Sequence, residues 1–289
     1  MRKQLIKTVE NVIKNDDRTV LLLGDIGVFG FKDILKNFPK RVYNIGILEQ
    51  STIGLSAGLS KINLIPIVHT IAPFMVERAL EQLKIDFGYQ KLNGNFISIG
   101  ASYDYASLGS THHCPADITL LKSIPNFQII VPGNSREFDI LFNSSYDNGY
   151  PTYYRLSEYE HTQDLDIEFG KANLIKKGNK ATIICVGNML DSVIEATKNI
   201  DVTILYYTTL EPFDYDILLD NFNEKIIIIE QFYEGSLNYD VNIALKSQKH
   251  YLYNIGMKRK FLTHYGKKEE NDIEIGLDTN SLKKLINKL

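Results

Sequence analysis

The chain has 289 residues, 44% of them hydrophobic and 23% charged, with a formal net charge of −3. That is enough for two soluble domains, and it leaves no electrostatic footprint for nucleic acid or an anionic membrane. Two cysteines, Cys114 and Cys185, cannot build a disulfide framework and suit a reducing compartment.

The opening "MRKQLIKTVENVIKNDD" carries charges throughout and reads as an amphipathic helix rather than a signal peptide. No apolar run reaches the roughly 20 residues of a bilayer span, so a cytoplasmic protein without membrane contact is expected. A buried strand over Thr19–Asp25 then runs into a Gly turn. "RVYNI" leads to Glu49, followed by a small-residue helix over Gln50–Ser60. Next come a strand (Ile62–Thr70), a helix (Phe74–Phe87), a strand (Asn95–Ala101) and the loop "ASYDYASLGSTHHC". A helix (Ala116–Ser123), a strand (Phe127–Gly133), a helix (Ser135–Ser145) and a strand (Thr152–Leu156) complete the first half. Polar Ser157–Lys171 interrupts the pattern, which restarts with strands at Ala181–Gly187, Val202–Tyr207 and Lys225–Gln231 and a helix at Asp191–Asn199. Short apolar strands alternating with helices predict an α/β fold of two consecutive domains, residues 1–165 and 166–289. Each is expected to have a mostly parallel sheet covered by helices.

Such sheets bind ligands at the carboxyl ends of their strands. The residues there are Asp25, Glu49, His69-Thr70, the His112-His113 loop and Arg155. Each has a plain structural alternative. Glu49 read alone is a helix-start carboxylate favoured by the dipole, Asp25 is a turn residue, and a loop histidine is usually surface. "THHC" lacks a second ligand cluster, so a metal site is not expected. "GLSAG" (Gly54–Gly58) spells a nucleophile elbow, but Ser56 falls inside a helix already under way. The basic run "GMKRKF" (Gly256–Phe261) reads as solvated surface. Walker A, Gly-x-Gly-x-x-Gly and Cys-x-x-Cys patterns do not occur.

Together, however, "RVYNIGILEQSTIGLSAGLS", "HTIAPFMVERALEQLK", "GSTHHCPADITLLKSIPNFQIIVPGNSREF", "YPTYYRL" and "FGKANLIKKGNKATIICVG" resemble the transketolase family, in the family's order and over essentially the whole chain. The resemblance is to the half that binds the aminopyrimidine ring of thiamine diphosphate, plus the C-terminal domain. The family's diphosphate- and Mg²⁺-binding half, with its Gly-Asp-Gly motif, has no counterpart here. The resemblance therefore implies one subunit of a split transketolase: a transferase active only with a diphosphate-binding partner subunit that holds Mg²⁺. It also implies self-association into a heterotetramer of two and two. Glu49 matches the acid that hydrogen-bonds the pyrimidine N1′ and favours the imino form able to take the thiazolium C2 proton. Apolar Ile47, Leu48 and Ile53 are expected to shelter it. Phe74 matches the ring that packs on the pyrimidine, Ile71 replaces the aromatic before it, and Asp25 matches an acid near the cofactor. His112 matches the histidine beside the reactive carbon; His69 and His113 are placed near the substrate mouth.

The departures fall on the substrate side. Leu108 stands where the family has a sugar-contacting Asp, Glu158 where it has a phosphate-binding Arg, and Phe29 where it has a phosphate-binding Ser. A carboxylate repels the dianion that a guanidinium would hold in a bidentate grip. The expected substrate is a sugar without the usual terminal phosphate, or one linked to a nucleotide. The competing readings are another thiamine diphosphate carboligase subunit (a 1-deoxyxylulose-5-phosphate synthase type or a 2-oxoacid dehydrogenase β type), a catalytically silent partner subunit, and a free-standing binding module. The second domain, whose "EQFYEGSLN" (Glu230–Asn238) resembles a family Gly-rich stretch with Ser236 in place of a second Gly, is expected to serve assembly rather than chemistry.

Overall fold

A computed structural model describes residues 1–288. The strands are β1 (Thr19–Leu23), β2 (Val42–Asn44), β3 (Ile65–Ile71), β4 (Gly94–Ile99), β5 (Gln128–Ile130), β6 (Pro151–Arg155), β7 (Asn173–Lys176), β8 (Thr182–Val186), β9 (Thr203–Tyr207), β10 (Thr209–Glu211), β11 (Lys225–Tyr233) and β12 (Tyr251–Met257). They form a seven-stranded sheet ordered β10-β5-β6-β4-β3-β1-β2 and a five-stranded sheet ordered β12-β11-β8-β9-β7. All pairings are parallel except β10 on β5 and β7 on β9. The α/β reading with two mostly parallel sheets therefore holds. The boundary read at 165/166 falls in the extended segment between β6 and β7, yet the first sheet borrows Thr209–Glu211 from beyond it.

The helices that matter to the site are α1 (Arg2–Asn15), α2 (Lys32–Asn37), α3 (Glu49–Lys61), α4 (Ala72–Val76), α5 (Leu80–Gln82), α6 (Asp117–Lys122) and α7 (Ser135–Ser145). Helix α1 buries Leu5, Val9, Val12 and Ile13, a stripe at helical spacing, against β1 and α7. It runs back along β1, so its first residues lie at the carboxyl end of the sheet. Helix α7 starts where Asn134 accepts the Glu137 N–H at 2.9 Å, a side-chain cap for an otherwise orphaned donor. Strands β1, β3, β4 and β6 are buried along nearly their whole length, as a sheet covered on both faces requires.

One helix expected over Phe74–Phe87 is broken. Helix α4 ends at Val76, residues 77–79 form an irregular turn, and after α5 the chain widens to a π-helix over Leu83–Tyr89. The break keeps Ala79, Leu83 and Phe87 in the core while releasing Arg78 to the outside. Such local irregularities concentrate at functional sites.

The linker is more than a spacer. His161 is buried, its Nε2 3.0 Å from Glu137 Oε1 and 3.0 Å from Tyr206 Oη, while the Tyr206 hydroxyl donates to Glu137 Oε2 at 2.7 Å. This triad ties α7, the linker and β9 of the second sheet into one packed unit.

Candidate functional site

Glu49 is the first residue of α3 and is only 8% exposed. Its Oε1 accepts a hydrogen bond of 3.0 Å from Arg78, whose guanidinium carbon sits 3.7 Å above the Phe74 ring. The ring of His112 meets Phe74 edge-on at 5.4 Å. Three of the residues singled out in the sequence, from α3, α4 and the loop after β4, thus converge on one cleft. Ser56 is buried inside α3 with its hydroxyl donating to the Thr52 carbonyl, so it is no nucleophile.

Of the expected shelter around Glu49, Ile53 is buried, but Ile47 and Leu48 are 65% and 56% exposed. They precede α3 in an irregular segment and leave their apolar surface uncovered by the described residues. Phe29, in the loop after β1, is 91% exposed.

The remaining sequence candidates separate. His69, near the end of β3, is 1% exposed. Its Nδ1 lies 2.9 Å from the Ile97 carbonyl, which can only accept, so the ring is the Nδ1–H tautomer and Nε2 is a bare acceptor without a partner. Burial pushes its pKa down to about 4, with the Ile97 carbonyl opposing and the Arg2 charge adding to the fall. Gly27, at φ +72°, allows this approach, since a Cβ there would lie 3.3 Å from the imidazole. His113 is buried beside Glu77, Pro115 and Tyr233 in a small cavity of about 70 Å³, and burial lowers its pKa. Asp25 is exposed at φ +56° and exchanges two hydrogen bonds with the Asn44 side chain at 3.0 and 3.1 Å, the geometry of a turn residue. Ile71 closes β3, half-buried, and Leu108 is exposed in a short turn of the loop.

Arg155, gathered with the strand-end residues, is a buried strut. Its Nε donates to Asp117 Oδ2 at 2.7 Å and its Nη2 to the Ser102 hydroxyl at 2.6 Å. Burial works against its charge, and the Asp117 carboxylate more than restores it. Ser102 in turn donates to the Gln231 carbonyl, Ser110 to the Leu262 carbonyl at 2.9 Å, and the Tyr233 N–H to the Pro115 carbonyl at 2.9 Å. The second domain therefore grips the loop that presents His112. Its contacts with this loop are structural hydrogen bonds.

Two functional candidates escaped the sequence reading. Arg78 lay inside a quoted segment, and its spacing of four from Phe74 on a nominal helix was the available signal. Arg2 gave none: only the fold brings α1 to the mouth, where Arg2 meets Tyr105 and Glu158.

The profile of the transketolase pyrimidine-binding domain matches residues 1–162. The chain is 36% identical to a 33.6 kDa protein of the fasciation locus of Rhodococcoides fascians, over 97% of this chain and 91% of that one. It is 30% identical to an apulose-4-phosphate transketolase subunit of Actinobacillus succinogenes, over 64% of this chain and 63% of that protein. A solved split-gene transketolase, an inactive β4 tetramer, superposes with a TM-score of 0.87 at 24% identity, covering 99% of this chain and 97% of that one.

Proposed function

The chain belongs to the transketolase family, and from that premise we propose that it is the pyrimidine-side subunit of a thiamine diphosphate-dependent ketol transferase. The diphosphate-binding half and the Mg²⁺ it holds come from a partner subunit. The observation that carries this reading is the Glu49–Arg78–Phe74 stack. A planar, N–H-bearing cation sits over an aromatic ring, its central carbon 3.7 Å from the ring centre, while donating to a nearly buried carboxylate at 3.0 Å. An aminopyrimidine ring needs the same two contacts, a stacking face and a carboxyl at its edge, so the residues present fit the group. Arg78 is exposed enough to swing outward and yield that seat, its side chain being 45% exposed.

When bound, the cofactor supplies a stabilised carbanion equivalent for carrying a two-carbon unit. The chain's residues do the rest. Glu49 would hydrogen-bond the edge of the pyrimidine ring, Phe74 would hold the ring's plane, and His112 would be placed to exchange a proton with the substrate. Thr111 Oγ1, 3.0 Å from His112 Nδ1, orients that imidazole. The exposed apolar side chains of Phe29, Ile47 and Leu48 are surface that a partner subunit would cover, excluding water. A heterotetramer of two and two is the assembly this supports. Leu108 and Glu158, in place of the expected Asp and Arg, favour a sugar substrate without a terminal phosphate, or one linked to a nucleotide.

The test is reconstitution: this chain, a diphosphate-binding transketolase subunit, thiamine diphosphate and Mg²⁺, assayed for ketol transfer. Glu49→Gln is expected to cost about 10²–10⁴ in rate, the usual worth of a positioned acid–base group, while the complex still assembles. Near-normal turnover by that variant would overturn the reading.

A further inference from the structure

At the mouth of the cleft stands a group of three side chains from three separate elements. Arg2 comes from the start of α1, Tyr105 from the loop after β4, and Glu158 from the segment after β6. One guanidinium nitrogen, Nη2, lies 2.6 Å from the Tyr105 hydroxyl and donates to Glu158 Oε1 at 3.1 Å. Both charged partners are about half exposed, with side-chain exposures of 46% and 40%. The group is nevertheless fixed in place. The Glu158 N–H donates to Asp104 Oδ2 at 3.0 Å, and the Tyr105 ring packs against Gly100, where a Cβ would lie 2.3 Å from it. The same tyrosine ring stands 6.4 Å from the ring of His112, edge-on, so the group borders the reactive cleft.

We infer that Arg2, Tyr105 and Glu158 form a charge-balanced clamp that selects an uncharged, hydroxyl-bearing end of the substrate and turns away a terminal phosphate. This rests on the reading that the cleft takes a sugar, and it deepens that reading by naming what the rim recognises. The sequence suggests that a guanidinium is missing from the mouth. The structure supplies one from α1, but neutralised: a carboxylate 3.1 Å away cancels its field for any approaching dianion. A hydroxyl gains from both members, because it can donate to the carboxylate and accept from the guanidinium donors that Tyr105 and Glu158 leave free. Burial pushes the Tyr105 pKa up to about 12, so its hydroxyl stays protonated and offers a further neutral polar contact.

The experiment uses the full chain alone, with inorganic phosphate as probe and ³¹P NMR titration as readout. Neither partner nor thiamine diphosphate is needed, so its outcome is separate from that of the ketol-transfer assay. Wild type is expected to bind phosphate weakly. Glu158→Gln unmasks Arg2 and is expected to tighten binding about tenfold, the scale of removing one like charge next to an exposed dianion. The double variant Arg2→Gln/Glu158→Gln should return to the weak value. If Glu158→Gln binds no tighter than wild type, or keeps its gain after Arg2 is replaced, the clamp is not the selecting device. If wild type already binds phosphate as tightly as Glu158→Gln and loses it on Arg2→Gln, Arg2 is an anion site and the inference is overturned.

Discussion

Replacing Glu230 by Gln should abolish a steep loss of stability that wild type suffers as pH rises. Glu230 lies in β11 with 0% exposure; its Oε1 accepts the Gly235 N–H at 2.7 Å, and Oε2 is buried with no partner. Burial raises its pKa from 4.5 to about 8, against the pull of the Gly235 and Ser236 N–H groups. The folded chain therefore holds this proton more tightly than the unfolded chain does. The resulting stabilisation is fully present below pH 4.5 and is lost as pH climbs through about 8, where the fold must bury a bare charge. The gap between those two values corresponds to about 5 kcal/mol, of the order of a domain's whole stability. Glutamine keeps an acceptor for Gly235 and mimics the protonated acid. Urea unfolding of the two proteins at pH 5, 7 and 9 checks this: the variant should hold a nearly constant stability from this position, while wild type falls by several kcal/mol relative to it. Parallel pH curves would refute the reasoning. The consequence reaches the cleft, because the turn that Glu230 braces also holds Pro115 through the Tyr233 N–H and Thr119 through Ser236 at 2.7 Å.

Two further outcomes are expected. His69→Asn should remove an acid-side slope of opposite sign. Burial depresses the His69 pKa from 6.5 to about 4, so its contribution is present above pH 6.5 and is lost as pH falls through 4. The span is about 3 kcal/mol, read from thermal unfolding at pH 4.5 against pH 7. His161→Ala should lower stability by about 2–4 kcal/mol by stripping Glu137 of one buried partner and opening the seam between the sheets, with a fall in Tm measured by calorimetry.

What the sequence made legible was periodicity. Apolar runs such as "TVLLLGD" and "KIIIIEQ" are buried on both faces and coincide with β1 and β11, and the α1 stripe appeared at helical spacing. Edge strands did not show. Strands β2, β7, β10 and β12 are short or half-exposed and carry no continuous apolar run, and β10 joins a sheet built from the other half of the chain. The broken helix after Phe74 was hidden because "PFMVERALEQLK" has good helical propensity throughout. Tertiary contacts of Arg78 and the buried Ala79 override it. In the site, Glu49, Phe74 and His112 came from resemblance and converge in space. The Arg2 clamp was illegible because it depends on an element more than a hundred residues away along the chain, at separations of 103 and 156.

The two sides of the cleft are built on different supports, and the difference bears on how such a site can diversify. Glu49 starts α3, separated from β2 by four residues, and Phe74 lies in the first turn of α4, directly after β3, so their separation is fixed by the core packing of Ile53, Ala72 and Met75. A change there would strain the core and, on the proposed reading, the cofactor seat with it. The proposed substrate side hangs instead on a loop, held by hydrogen bonds to the second domain and bordered by Arg2, Tyr105 and Glu158. Single substitutions at exposed positions such as 108 and 158 then alter the charge and shape offered to a substrate at small cost in stability. On the proposed reading, that asymmetry lets Glu49, Phe74 and His112 stay together while positions 29, 108 and 158 vary.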